Sequence, residues 1–176
     1  MAIPREDFES IVHAHQAMLY RIAFNFFRNV HTAEEVVQDV LLRLFESRAS
    51  IESQAHLVAW LRRAATHRCI DLARRRSAQW ETQVDTMPDI AEGVPESDPL
   101  LYERLRVLVA SLPEVQRLVV ILRYGEDLNS DEIGAALDMP SPTVRSHLQR
   151  ALALLREKAP QVLGEGVHGS IRRQPS

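Results

Sequence analysis

The side chains best suited to chemistry in this sequence are arginines, and the chemistry they suit is recognition of nucleic acid rather than bond making. Arg145, Ser146, Gln149 and Arg150 fall in two pairs four residues apart, so on a helix they share one face. Arginine can grip guanine with two hydrogen bonds and glutamine can do the same for adenine, while Val144, Leu148 and Leu152 on the other side suit a core. A second cluster, Arg74-Arg75-Arg76, ends a stretch from Arg62 to Arg76 that holds six arginines against one aspartate. Three adjacent arginines exceed what a helix C-terminus needs for its dipole and suit contact with phosphates. No Gly-rich phosphate loop, G-x-S-x-G elbow, H-E-x-x-H pair or matched carboxylates in an apolar setting occur, so no catalytic residue is assigned and no enzyme is expected. His13 with His15, and His67 with Cys69, stand two apart on helices and point to different faces, so neither a metal nor another cofactor is expected.

The elements that must position these groups follow from composition and period. With 176 residues, 45% of them hydrophobic, the chain allows one ordinary domain or two small ones with a buried core. A net charge of −3 gives no bulk positive field, so any nucleic-acid footprint must be local. The charge is segregated: residues 81–103 carry seven acids and no lysine or arginine, and Pro88, Gly93 and Pro95 interrupt them. This segment reads as a linker over 81–98. One cysteine excludes a disulfide framework, and Met1-Ala2-Ile3-Pro4 lacks the pattern of a signal peptide. The longest apolar runs, such as Leu118–Leu122, fall well short of the roughly 20 residues that span a bilayer. A cytoplasmic protein without membrane insertion is expected.

Helical period runs on both sides of the linker. Phe8, Ile11, Val12, His15, Leu19, Ile22, Ala23 and Phe26 mark a first helix, and Thr32 with Glu35 fits a capping box that opens a second, ending near Arg48. Leu57, Trp60, Leu61, Ala64 and Ala65 begin a third that runs into Arg76. Beyond the linker, Ser97-Asp98-Pro99 suggests a cap and first turn, Pro113 a stop, Gly125 a left-handed end for the following helix, and Asn129 with Glu132 another capping box. A short helix to Leu137, a break at 138–141 and a longer basic helix from Pro142 to Glu157 have the layout of a helix-turn-helix. The fold class expected is all-α: two small helical domains, 1–80 and 99–160, an acidic flexible linker over 81–98, and a frayed tail over 161–176.

Residues Ala33–Leu44 and Trp60–Arg76 resemble region 2 of bacterial extracytoplasmic-function sigma factors of the sigma-70 family; Leu112-Pro113, Asp131–Gly134 and Pro140–Ala151 are similar to region 4. The resemblance implies a promoter-specificity subunit. It implies docking of Glu35, Gln38, Asp39 and Leu42 on the clamp helices of the largest subunit of core RNA polymerase, and of region 4 on the flap of the second-largest. It implies minus-ten contacts from Ile51, His67, Arg68, Arg74, Arg75 and Arg76, with help in opening the duplex there. It implies minus-35 contacts from Arg145, Ser146, His147, Gln149 and Arg150. An anti-sigma protein is a further partner of such factors.

The chain departs from the family pattern at several of these places. His67 stands where asparagine is usual, Ile51 where an aromatic is common, Pro142 where glycine is usual and His147 where arginine is usual. Asp138 replaces the customary helix-stop glycine, a substitution that a residue tolerant of left-handed backbone allows, and Ser141 is expected to cap the helix that Pro142 begins. Two other function classes remain open from sequence: a stand-alone helix-turn-helix regulator, which would bind DNA tightly without polymerase, and a sigma-mimicking decoy, which would bind polymerase but not DNA.

Overall fold

The computed structural model describes residues 5–47, 51–79 and 99–163, and every regular element among them is helical. They are α1 (Arg5–Phe27), α2 (Val30–Glu46), α3 (Gln54–Gln79), α4 (Pro99–Ala110), α5 (Glu114–Val120), a π-helical turn (Ile121–Gly125), α6 (Ser130–Leu137) and α7 (Ser141–Leu163). The expected linker at 81–98, the Ser97-Asp98 cap and all but the first three residues of the expected tail lie outside the described residues.

Helix α1 stops because Arg28 takes a left-handed φ of 57°, which turns the chain into an extended Asn29. Asn29, not Thr32, is the N-cap of α2: its side-chain oxygen accepts from the Thr32 backbone N–H at 2.8 Å. Thr32 sits buried in the first turn, where its hydroxyl accepts from Arg76 at 2.6 Å. The reversal at Arg28 starts the helix earlier than the Thr32–Glu35 pattern suggests, because it already gives Asn29 the backbone a cap requires.

The three N-terminal helices close on Leu19, Ile22 and Phe26 of α1, Val36, Val40 and Leu44 of α2, and Leu57, Leu61, Ala65 and Cys69 of α3. Burial pushes the Cys69 thiol up to about 12, so it stays protonated and unreactive in the folded chain. Arg68, one turn from Ala65, fixes α3 to α2 by a different means. Its Nε donates to Asp39 Oδ2 at 2.6 Å and its Nη2 to Glu35 Oε1 at 3.1 Å.

In the C-terminal half, α4, α5 and α7 pack around Leu112, Val120 and Ala151. Arg117 ties the ends of two helices together, donating to the Phe26 carbonyl at the end of α1 and to the Leu112 carbonyl after α4, both at 3.0 Å. Gly125 does not take the left-handed conformation expected of it. It lies in the π-helical turn, and Asp127, at φ 54°, reverses the chain instead. The capping box at Asn129 is present as expected: its oxygen accepts from the Asp131 and Glu132 backbones, and Glu132 accepts from the Asn129 N–H at 2.8 Å. Asp138 ends α6 in the left-handed conformation. Ser141 is the first residue of α7, and its hydroxyl donates across the turn to the Asp131 carboxylate. Helix α7 continues through Pro160 rather than stopping near Glu157, since a proline forfeits one backbone hydrogen bond without necessarily ending a helix that is packed along its length.

The two halves meet. Helix α3 packs on α6, and the buried Thr66 hydroxyl donates to the Ala136 carbonyl at 2.8 Å; the core of the N-terminal helices continues into Leu118, Leu122, Ile133 and Val144 of the C-terminal half, apart from the smaller cluster around Leu112.

Two substitutions test this packing. Arg68→Ala leaves Glu35 and Asp39 without their partner in a half-buried setting and should lower stability by about 1–3 kcal/mol, read from the urea midpoint at unchanged slope. A Cβ on Gly134 would stand 2.5 Å from the Met139 carbonyl oxygen, so Gly134→Ala should force the α6–α7 turn apart at a cost of about 1–3 kcal/mol, seen in the thermal midpoint.

Candidate nucleic-acid interface

The helix-turn-helix is built from α6, the turn at Asp138–Pro140 and α7. Val144 is fully buried and Leu148 is half-buried against the core, which leaves Arg145, Ser146, Gln149 and Arg150 on the exposed side of the first turns of α7. Ser146 donates its hydroxyl back to the Pro142 carbonyl at 3.1 Å, so its oxygen faces outward as an acceptor. His147 is half-buried and its Nδ1 is enclosed without a hydrogen-bond partner, so it is turned away from the exposed row. Arg145, Ser146, Gln149 and Arg150 thus form one continuous donor and acceptor face, with His147 at its edge.

The basic residues of α3 do not act as a group. Arg74 and Arg75 are exposed near the end of the helix. Arg76 is exposed as well but anchored, stacked over the Phe27 ring at 5.5 Å while it donates to Thr32. Arg68 is buried, 9% exposed, and committed to Glu35 and Asp39, so its guanidinium is not presented outward. His67 stands on another side of α3, where Nε2 lies 2.9 Å from Asp138 Oδ2 but out of line for a hydrogen bond. Ile51 is half-buried and packs on the core.

On α2, Glu35 and Asp39 face Arg68, whereas Gln38 and Leu42 project outward. Phe45 joins them, 51% exposed beside Leu42 at 53%, with its ring edge-on to Phe8 at 5.2 Å. The signal for an outward Phe45 was present in the sequence, because Leu41, Leu42, Leu44 and Phe45 cover more of a helix than one core-facing stripe can hold. Next to Gln38 a cleft of about 810 Å³ opens between α1, α2 and α4, lined by Tyr20, Phe24, Val37, Leu41, Tyr102 and Arg106 among others. Burial and the nearby Glu34 carboxylate raise the Tyr20 phenol above its ordinary value. No cluster of His, Cys, Asp or Glu among the described residues could hold a metal ion, and none of their helices is long and apolar enough to cross a membrane.

Comparison with known proteins bears directly on these surfaces. Residues 11–79 match the Sigma-70 region 2 family and residues 102–155 match Sigma-70, region 4. The chain is 26% identical to the ECF RNA polymerase sigma factor SigW of Bacillus subtilis over 88% of this chain and 89% of that one. It is 33% identical to the RNA polymerase sigma-E factor of Streptomyces coelicolor, covering 86% and 85%. Among solved structures it is similar in fold to the sigma factor RpoE of Bartonella quintana, crystallised with the anti-sigma factor NepR (TM-score 0.67, 20% identity, 86% of this chain and 96% of that one). It is likewise similar to CnrH, solved with the cytosolic domain of CnrY (TM-score 0.66, 21% identity, 90% of each). With an exposed polar row on α7, an outward polar and apolar face on α2, and both regions present in the same order, the chain belongs to the extracytoplasmic-function sigma factors of the bacterial sigma-70 family.

Proposed function

We propose a division of labour for this sigma factor in directing core RNA polymerase to promoters. The N-terminal domain, residues 1–80, docks on the clamp helices of the largest subunit through Gln38, Leu42 and the newly found Phe45, with Glu35 and Asp39 behind them. The C-terminal domain, residues 99–160, contacts the flap of the second-largest subunit and reads the minus-35 element through Arg145, Ser146, Gln149 and Arg150, with His147 at the margin. The minus-ten element is held by Arg74, Arg75 and Arg76, with His67 and Ile51 nearer the separated bases and Arg68 supporting them from within. The chain supplies no catalysis of its own, acts in the cytoplasm beside the polymerase, and is held in check by an anti-sigma protein, a partner seen with its structural neighbours.

The observation that carries this reading is the uninterrupted exposed row on the first turns of α7, because in a helix-turn-helix those turns enter the major groove. Leu42 and Phe45 support the docking face: large exposed apolar groups beside a polar one suit an interface with protein better than a solvated surface.

Reconstituted transcription is the test. The protein with core enzyme should yield transcripts whose promoters share upstream motifs, while the protein alone binds the same fragments weakly, since the spacing of its two halves that suits a promoter is set by the enzyme. Tight binding by the free chain without transcription would point instead to a stand-alone regulator. Residue roles need cleaner probes. Reversing the charge of Asp39 would set two guanidiniums against each other at Arg68, so Leu42→Glu is the better substitution: the fold should be retained and affinity for core enzyme should fall by about tenfold or more. Arg150→Ala should cost the holoenzyme about 1–3 kcal/mol at its cognate base pair. An equal loss on promoters altered at that base pair would reduce Arg150 to a phosphate contact.

A further inference from the structure

Several arginines of this chain are held by its own groups. Arg68 grips Glu35 and Asp39, Arg63 stands 2.9 Å from Asp138 Oδ2, Arg76 leans on Phe27, and Arg117 donates to two backbone carbonyls. Arg156 of α7 differs: it is exposed and has no hydrogen bond, ion pair or ring contact among the described residues. It also lies outside the row assigned above to the minus-35 element.

A helix turns about 100° per residue, so the step from Arg145 to Arg156 returns to within about 20° of the same heading, roughly three turns and 16 Å further along. Gln149, two turns before Arg156, shares that heading. Ala153 is exposed between Arg150 and Arg156, and its single methyl group lets the helix approach a neighbouring surface closely. The helical neighbours of Arg156 are Leu152, Ala153, Ala159 and Pro160, so no acid on its own face neutralises it, and the adjacent Glu157 heads about 100° away. On the opposite side Leu154 and Leu155 pack against the cluster of Leu112 and Val120, which holds this turn of α7 in place.

Resting on the function proposed above, we infer that Arg156 is a further DNA contact of the minus-35 reader, made to a backbone phosphate at the rim of the groove rather than to a base. The first turns of α7 enter a major groove about 12 Å wide, and the turns that follow rise out of it. A side chain three turns beyond Arg145 on the same face has left the base edges and meets the sugar-phosphate backbone that borders them. A guanidinium with all its donors free suits a phosphate there. The contact adds affinity and fixes the register of the row on the duplex without telling one sequence from another.

The experiment titrates holoenzyme, assembled from the full-length chain and core polymerase, onto a promoter fragment recovered by reconstituted transcription and onto the same fragment with its upstream motif altered, over a range of salt. Arg156→Gln should weaken binding to both fragments by the same factor, about fourfold at low salt, and make the slope of log affinity against log salt shallower by about one. Arg156→Lys should restore most of that slope, because a phosphate accepts a point charge where a guanine needs the guanidinium fork. Lys158→Gln removes the same charge from a side chain that donates to Ser111 on another side of α7, and should leave the slope unchanged. An unchanged slope in Arg156→Gln would make Arg156 a solvated charge and overturn the contact. An equal loss in Lys158→Gln would trace the effect to net charge and overturn it too. A loss confined to the matched fragment would make Arg156 a base reader and overturn the phosphate assignment. Failure of the unaltered holoenzyme to tell the two fragments apart would instead refute the minus-35 reading of α7, and the contact would fall with it.

Discussion

The Thr66 hydroxyl, donated to the carbonyl of Ala136 in a fully buried setting, is the contact around which the two halves of the molecule are arranged. The last carbonyls of a helix have no partner within it, and one left bare in a core costs about 1–3 kcal/mol. Here α3 satisfies a terminal carbonyl of α6, and Arg63, one turn before Thr66, and His67, the residue after it, both approach Asp138 at the C-terminal end of that helix. The approach is close because small residues meet there: Thr66 on α3 and Ala136 on α6, both buried. Larger side chains on these faces would separate the helices and remove both the apolar contact and the hydrogen bond.

The same helix explains why its arginines have different fates. One side of α3 lies on α1 and α2 and another on α6, so a side chain's heading decides whether it enters the structure or faces outward. Arg68 points at α2 and holds two carboxylates there; Arg76 leans on Phe27; Arg74 and Arg75 stay in solvent. By occupying Glu35 and Asp39, Arg68 also fixes the orientation of the α2 surface that carries Gln38 and Leu42. The docking face proposed on one helix is thereby positioned by an ion pair that a partner would not need to touch.

Much of this was legible in the residues. The helices follow from apolar spacing, the Asn129–Glu132 box from local chemistry, and the exposed row of α7 from its alternation with Val144 and Leu148. What escaped was set by backbone detail or by groups distant in the chain. Thr32 and Glu35 form an acceptable capping pattern, but the reversal at Arg28 gives the cap to Asn29. The π-helical turn at Ile121–Gly125 has no local signature and displaces the left-handed residue to Asp127. The fate of Arg68, and the meeting of two departures from the family pattern at His67 and Asp138, depend on a tertiary arrangement that periodicity does not encode.

The sealed position of Cys69 has a consequence of another kind. The chain's single sulfhydryl is enclosed by the N-terminal bundle and holds its proton far above neutral pH, so peroxide, disulfide and electrophile have no thiolate to attack. In the folded state neither covalent dimers nor mixed adducts form through it. Cys69 is therefore no redox sensor in the folded chain.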